Sequence, residues 1–104
     1  MNFTLNSQEI SLHEQFNGRY DFTAIGNTLN LVENNSSTNC TILTGSSANL
    51  ELEPTQNITA AYLYWAGSGA GDFSVNLNAS IITPDRTFSF TYSSKLFFAG
   101  FKDV

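Results

Sequence analysis

Three aromatic residues that stand close together in one apolar segment are the side chains best able to stack on a sugar ring. Tyr62, Tyr64 and Trp65 lie within residues 58–66, where the chain is apolar at most positions. Large aromatic side chains also dominate protein cores. A strand that is apolar on both faces is typical of a strand covered on each side, so the pattern favours core positions over a binding surface. The three residues are nevertheless the candidate ligand-binding set.

The glycine-rich loop at residues 67–71 is followed by Asp72, whose carboxylate could serve a calcium ion. Calcium is held by several oxygen ligands, and backbone carbonyls of such loops can be among them. A single carboxylate is weak evidence for a calcium site, and loops of this glycine content are usually connections between strands. Asp72 is therefore the candidate metal ligand, and a simple connecting loop is the favoured alternative. The segment is not a phosphate-binding loop, because the Lys-Ser/Thr ending and a following helix are missing.

Two acidic residues at alternate positions, Glu51 and Glu53, have a spacing that would suit a glycosidase pair. Both fall on the side of residues 49–53 that the alternation marks as solvated. Two carboxylates on a solvent-exposed strand face stay ionised, and solvent prevents the shifted protonation that a catalytic pair needs. The pattern therefore argues against glycoside hydrolysis.

A cysteine and a histidine are the remaining pair with catalytic chemistry. Cys40 is the only cysteine and His13 the only histidine, so no intrachain disulfide can form. A catalytic thiol needs a nearby base, and nothing in the sequence brings these two together. A lone cysteine is most often a small buried side chain. We therefore predict no catalytic residues, no enzyme activity and no required cofactor.

The amino-acid composition alone predicts that strands position all these residues. Asn, Ser and Thr supply 35 of the 104 residues, aromatics 13% and charged residues only 12%. Thr and aromatic residues favour strands over helices, and Asn and Ser favour turns. A hydrophobic content of 41% excludes a disordered chain. The net charge of -5, with four scattered basic residues, argues against nucleic-acid binding. No apolar run is long enough to cross a bilayer, so membrane insertion is not expected.

Alternating apolar and polar residues predict seven or eight short antiparallel strands at intervals of about ten residues, the signature of a β-sandwich or jelly roll. Residues 58–66 are expected to be the central and most buried strand, and Phe88, Phe90 and Tyr92 to share one strand face. Residues 1–17 are predicted to be an irregular lead-in, and residues 18–104 the β-sandwich module. Seven segments have clear strand patterns, 20–25, 28–33, 49–53, 58–66, 73–78, 87–92 and 96–101, and residues 41–44 and 81–83 are shorter candidates.

The final apolar segment runs to Lys102-Asp103-Val104 without a polar tail. A chain of this length buries only about 60 to 70% of its surface even when its fold is complete. We therefore expect residues 18–104 to be the first part of a larger, truncated domain. Such a domain would leave a strand edge exposed, which favours self-association.

Four segments together resemble the N-terminal region of large secreted surface proteins of Bacteroidetes. These segments are residues 18–30 (GRYDFTAIGNTLN), the Asn-rich loop that leads into Cys40, residues 60–69 (AAYLYWAGSG) and residues 83–88 (TPDRTF). The similarity covers roughly residues 18 to 104. Proteins of that family are exported by the type IX secretion route and are often described as gliding-motility-associated or adhesin-like. The family has no catalytic signature that could be carried over to this chain.

The resemblance implies a non-enzymatic module on the bacterial cell surface or outside the cell. The expected partners are an extracellular surface, glycans or other protein chains. A carbohydrate-binding jelly roll, in which calcium at Asp72 could assist, is the alternative function. It rests on a fold-level likeness of the glycine loop and its flanking strands to galactose-binding modules, and fold alone does not establish function. Six N-x-S/T sequons also occur, and a bacterial origin would make them mostly a result of composition.

Overall fold

The computed structural model describes residues 11–33, 35–37 and 41–104. The chain divides into two units, Met1–Glu51 and Leu52–Val104. Throughout the described residues the regular secondary structure is β, with no helix, and the predicted all-β class is confirmed. Consistent with this, no helix of the described chain could span a membrane.

All five strands of the described chain lie in the Leu52–Val104 unit. They form an antiparallel three-stranded sheet in the order β1-β5-β4 and a separate antiparallel pair, β2-β3. The strands are β1 (Tyr62–Ser68), β2 (Val75–Leu77), β3 (Ser80–Ile82), β4 (Arg86–Tyr92) and β5 (Lys95–Asp103). The predicted segments 73–78, 81–83, 87–92 and 96–101 therefore each contain a strand or most of one.

Two tight turns explain the local pairings. Ser93 and Ser94 join β4 to β5, and Asn78 and Ala79 join β2 to β3, all four with positive φ between 49° and 65°. Two consecutive residues of this conformation make the turn whose twist matches that of paired strands. Each hairpin is thus fixed by a two-residue connection.

The order of the strands corrects one expectation. Residues 58–66 were expected to supply the central and most buried strand, but β1 begins at Tyr62 and lies at an edge of the sheet. The central strand is β5, which contains Phe101, the one buried hydrophobic side chain among the described residues. An apolar segment indicates that both faces of the strand are at least partly buried. It carries no information on whether a strand has one neighbour or two.

The Met1–Glu51 unit contains a single β-bridge, between Asn30 and Ile42, in its described residues. Two backbone hydrogen bonds flank it, from Leu31 N to Thr41 O at 3.2 Å and from Leu43 N to Leu29 O at 2.6 Å. The segments 28–33 and 41–44 are therefore neighbours, but neither forms a strand.

Strand predictions at residues 20–25 and 49–53 are wrong, although 49–53 has the clearest alternation in the chain. Alternation predicts which side chains would share a face, whereas a strand also needs a paired backbone. No partner strand is present for either segment in the described chain. The predicted lead-in, residues 1–17, stays a prediction, and its first ten residues lie outside the described ones.

Candidate functional site

The register of the three-stranded sheet gathers seven aromatic side chains on one face. Tyr64 pairs with Phe101 across β1 and β5, and Phe90 pairs with Phe97 across β4 and β5. Because alternate residues of a strand point to the same side, the other aromatics at even spacing join them. We call this surface the aromatic face; it comprises Tyr62, Tyr64, Phe88, Phe90, Tyr92, Phe97 and Phe101.

Phe101 is the most closely packed residue of the aromatic face. Its ring stacks on that of Tyr62 with centroids 5.8 Å apart, and lies 5.1 Å from that of Tyr64 in a tilted arrangement. The guanidinium carbon of Arg86 sits 4.5 Å from the Phe101 ring centroid, a cation–π contact. These neighbours reduce the exposure of Phe101 to 2%. This part of the face is therefore closed to solvent.

Five other rings of the aromatic face are open to solvent. Tyr64 is 71% exposed, Tyr92 68% and Phe90 62%, whereas Phe97 and Phe88 are each a little over a third exposed. Phe90 and Phe97 contact one another with ring centroids 6.5 Å apart. Single exposed aromatics are common, but several that share one sheet face form a continuous apolar surface. Such a surface usually marks a place of contact.

The charged side chains of the aromatic face stand at the ends of its strands, including Arg86, which begins β4 and lies over the Phe101 ring. Lys95 is at one end of β5, and Asp103 is at the other. Asp85, which precedes β4, accepts a hydrogen bond from Lys102 Nζ at 2.7 Å and another from the backbone N–H of Asp103 at 3.0 Å. This carboxylate ties the start of β4 to the end of β5. The Asp85 carboxylate therefore stabilises the sheet.

The opposite face of the sheet is packed by side chains that lie over glycines. Trp65 of β1 lies across Gly100 of β5, so closely that a Cβ at Gly100 would collide with the indole ring. Phe98 lies over Gly67 in the same way, where a Cβ would be 2.9 Å from the Phe98 ring. Phe73 adds an edge-on contact with Phe98 at 5.5 Å. We call this surface the tryptophan face.

Asp72 is attached to the tryptophan face through its backbone. The indole Nε1 of Trp65 donates a hydrogen bond to the carbonyl oxygen of Asp72 at 2.8 Å, while Asp72 Oδ1 accepts a long one from the backbone N–H of Ser74 at 3.4 Å. Gly69 and Gly71 have φ of 120° and 127°, which lets the loop fold back to reach the indole. The loop therefore has a defined structural role, which is to cover Trp65.

Calcium at Asp72 stays a prediction. Within the described chain, Asp72 belongs to no group of three or more His, Cys, Asp or Glu side chains close enough to share an ion. Its own carboxylate faces the Ser74 N–H, as in a loop-closing Asx turn. An ion there would have to draw most of its ligands from backbone carbonyls.

The three predicted ligand-binding residues do not form one site. Tyr62 and Tyr64 lie on the aromatic face, whereas Trp65 points to the tryptophan face, because consecutive strand residues alternate. Tyr62 and Trp65 are half-buried, as the preference for core positions predicts, but Tyr64 is open to solvent. Only Tyr64 of the three remains suited to contact a ligand.

Exposed aromatics on the neighbouring strands were missed as candidate site residues. Phe88, Phe90 and Tyr92 were correctly expected to share a strand face, and Phe97 belongs with them. The missing information was the register, since β1 reaches this surface only through β5. The sequence feature that indicates these residues is the aromatic side chain at every second position of 87–92.

The remaining catalytic candidates do not converge in the described residues. Glu53 lies at a turn, where its N–H donates to Gln56 Oε1 and its carbonyl oxygen accepts from the Gln56 N–H, both at 2.9 Å. Glu51 and Glu53 are both exposed, as expected of solvated carboxylates. His13 is exposed, and Cys40 lies outside the described residues, so the thiol hypothesis has no geometry to support it.

Comparison with family models, with curated proteins and with solved structures finds no match to this chain. The resemblance to secreted Bacteroidetes surface proteins therefore stays a prediction. The candidate site must be argued from its own chemistry. That chemistry is an open aromatic surface on a three-stranded sheet, with charges only at its ends.

Proposed function

We propose that the Leu52–Val104 unit is a non-enzymatic, adhesin-like contact module whose aromatic face binds other molecules at an extracellular or bacterial surface. The single observation that carries the proposal is the group of open rings on β1, β4 and β5, with Tyr64, Phe90 and Tyr92 the most exposed. The surface location rests on the family resemblance. Export by the type IX secretion route rests on the same resemblance.

The size of the aromatic face supports a contact role. A fully exposed aromatic side chain offers about 150–250 Å², so the five open rings together present on the order of 500 Å². That is the size of the largest apolar patch on an ordinary monomer, and such patches are often functional. Covering even a fifth of it would contribute roughly 2–3 kcal/mol at about 25 cal/mol per Å².

The polar groups of the unit support contact over catalysis. Asp85 is held by Lys102 and by the Asp103 N–H, and the Asp72 carbonyl oxygen is held by Trp65. These groups stabilise the strands and the loop. The open surface is contributed by rings, which supply apolar area and, at the tyrosines, a hydroxyl group.

We also propose that the unit belongs to a jelly-roll-like β-sandwich in which the tryptophan face is the inner face. Phe73, which precedes β2, already packs edge-on against Phe98 of β5. Trp65 and Phe98 are half-buried, in contrast to the open aromatic face. A second layer on this side would leave the aromatic face as the outer, contacting surface.

Carbohydrate binding is the second candidate function. Exposed rings recur at every second residue of β4, so they are spaced roughly 7 Å apart along the strand, and Tyr64 and Tyr92 add hydroxyl groups to flat apolar rings. Sugars are bound in this way by ring stacking combined with hydrogen bonds. Calcium at Asp72 would be an accessory in this candidate function only.

The test is binding of the purified 104-residue chain to immobilised mucin and to an array of soluble oligosaccharides, with calcium and with chelator. We expect Tyr64→Ser combined with Tyr92→Ser to weaken mucin binding at least about tenfold, which corresponds to the loss of roughly 1.4 kcal/mol. Thr91→Ala, on the other face of β4, is the matched control and should bind normally. Equal binding by all three proteins would contradict the contact proposal.

Array binding distinguishes the two candidates. Saturable binding to one class of oligosaccharide, lost in the Tyr64 and Tyr92 variant, would favour the carbohydrate-binding function. Loss of that binding in the presence of chelator would show that carbohydrate binding requires calcium. The location is tested separately, by protease treatment of intact cells that produce the protein, where resistance to cleavage would contradict surface display.

A further inference from the structure

β4 is an open edge of the three-stranded sheet, and all seven of its residues are exposed. Tyr92 and Lys95 flank the two-residue turn, so this pair exchanges backbone hydrogen bonds, and bonded pairs alternate with unbonded pairs from there. The N–H and C=O groups of Thr87, Ser89 and Thr91 consequently point away from β5. No strand of the described chain pairs with them.

The sequence of this edge is a near-palindrome. Read in either direction from Ser89, β4 presents phenylalanine, then threonine, then a residue of the aromatic face: Arg86 on one side and Tyr92 on the other. Two copies placed antiparallel about Ser89 therefore set like beside like. The outward backbone groups also match, because Thr87 would oppose Thr91 of the partner copy in a hydrogen-bonded pair.

We propose that two copies of this chain pair through β4, antiparallel and with the two-fold axis at Ser89. About six backbone hydrogen bonds would form, between Ser89 and Ser89 of the partner copy and between Thr87 and Thr91 in both directions. Phe88 would stand opposite Phe90 of the partner copy in an unbonded pair, where cross-strand side chains are closest.

The chemistry of the edge favours a second copy over an unrelated strand. β4 lacks the proline, lysine and inward charge that commonly protect sheet edges, and its only charge is Arg86 at one end. In the symmetric pair Arg86, whose guanidinium lies over Phe101 of its own copy, stands opposite the uncharged Tyr92 of the partner copy, so no like charges meet across the edge. An isologous interface needs this self-complementarity, since each contact occurs twice.

The consequence is a six-stranded sheet with one continuous aromatic face. The two copies of Phe88 and Phe90 would pack together beside the two-fold axis, and Tyr92 of each copy would extend the ring surface on either side of them. The proposal does not rest on the proposed contact function, because pairing uses the edge of the sheet. An edge interface of this kind is small, and we expect a dissociation constant on the order of 10 µM.

The first experiment measures the mass of the full 104-residue chain by sedimentation as a function of concentration. Wild type should pass from monomer to dimer. Ser89→Lys and Ser89→Glu each place like charges across the axis, and each should weaken dimerisation at least about tenfold. An equimolar mixture of the two variants should recover a dimer, because the charges then become opposite. Circular dichroism of each variant alone checks that it is folded.

The second experiment tests the register by disulfide formation in a Cys40→Ser background. Ser89→Cys should cross-link under mild oxidation, since a hydrogen-bonded antiparallel pair has Cα atoms about 5.5 Å apart. Thr87→Cys alone should not, and neither should Thr91→Cys alone, whereas a mixture of the two should. The rates are compared at equal protein concentration.

Three results would overturn the proposal. The first is a wild-type chain that stays monomeric up to roughly 1 mM, well above the expected dissociation constant. The second is a dimer that Ser89→Lys and Ser89→Glu leave unchanged, which would place the interface elsewhere. The third is cross-linking of Thr87→Cys alone with Ser89→Cys inert, which would show a different register.

Discussion

Replacing Phe101 by alanine removes the one buried hydrophobic side chain of the described residues. The ring contacts Tyr62, Tyr64 and Arg86, so the substitution deletes two aromatic pairs and a cation–π contact together. Phe→Ala at a buried position costs about 3–5 kcal/mol. A unit of about fifty residues has only some 3–8 kcal/mol of stability. We therefore expect Phe101→Ala to remove a large share of the free energy of unfolding of the Leu52–Val104 unit and to lower its urea midpoint in proportion.

Urea unfolding followed by tryptophan fluorescence measures this directly, because Trp65 is the only tryptophan and lies in the same unit. Phe90→Ala is the matched control. It removes an identical side chain from the neighbouring strand at a position that is 62% exposed, and it should cost less than about 1 kcal/mol. If both variants shift the midpoint equally, burial at Phe101 is not what stabilises the sheet, and the reasoning fails.

Three smaller substitutions probe the packing, the turn and the ion pair of the same unit. Gly100→Ala forces a methyl group into the Trp65 ring and should cost about 1–3 kcal/mol by thermal unfolding, with altered fluorescence; an unchanged midpoint would contradict the close approach. Ser94→Gly relieves a positive φ of 62° and should raise Tm by a few degrees, worth about 0.5–1 kcal/mol, so a lower Tm would count against the turn assignment. Asp85→Asn removes a partly exposed ion pair with Lys102 and should cost less than about 1 kcal/mol, with the difference from wild type shrinking in high salt; a larger, salt-independent loss would refute a surface pair.

Local pattern was sufficient to predict β4 and β5. Residues 87–92 alternate and residues 96–101 form a short apolar run. The two segments lie next to one another and are joined by a short turn, so their pairing needs no information from elsewhere in the chain. The same holds for β2 and β3 around Asn78 and Ala79. Neighbouring strands with short connections are the part of a β fold that periodicity predicts well.

Non-local pairing explains what the pattern could not predict. β1 pairs with β5 across roughly thirty or more residues of chain, and nothing in residues 58–66 indicates which strand they join or that they end at an edge. In residues 49–53 the alternation is clean, yet no partner strand is present in the described chain. Periodicity describes side chains, while a sheet is formed by backbone groups that must find one another.

The candidate site was only partly predictable for the same reason. Tyr64 and Trp65 are both candidates because they lie in one aromatic cluster, but consecutive residues of a strand face opposite ways, so the two side chains lie on different faces of the sheet. Phe90 and Tyr92 became partners of Tyr64 only once β5 was placed between the two strands.

The two-residue turn at Ser93 and Ser94 has a consequence for the order of folding. A hairpin with so short a connection can form on the order of 1–10 µs, whereas β1 must close a loop of roughly thirty residues before it reaches β5. The β4–β5 hairpin is therefore expected to be the nucleus, and β1 the strand that joins last. Substitutions in the turn should then change the folding rate, and those in β1 the unfolding rate. Until β1 arrives, both edges of the hairpin are open, so the interval between the two events is when the nascent chain is most exposed to misassociation.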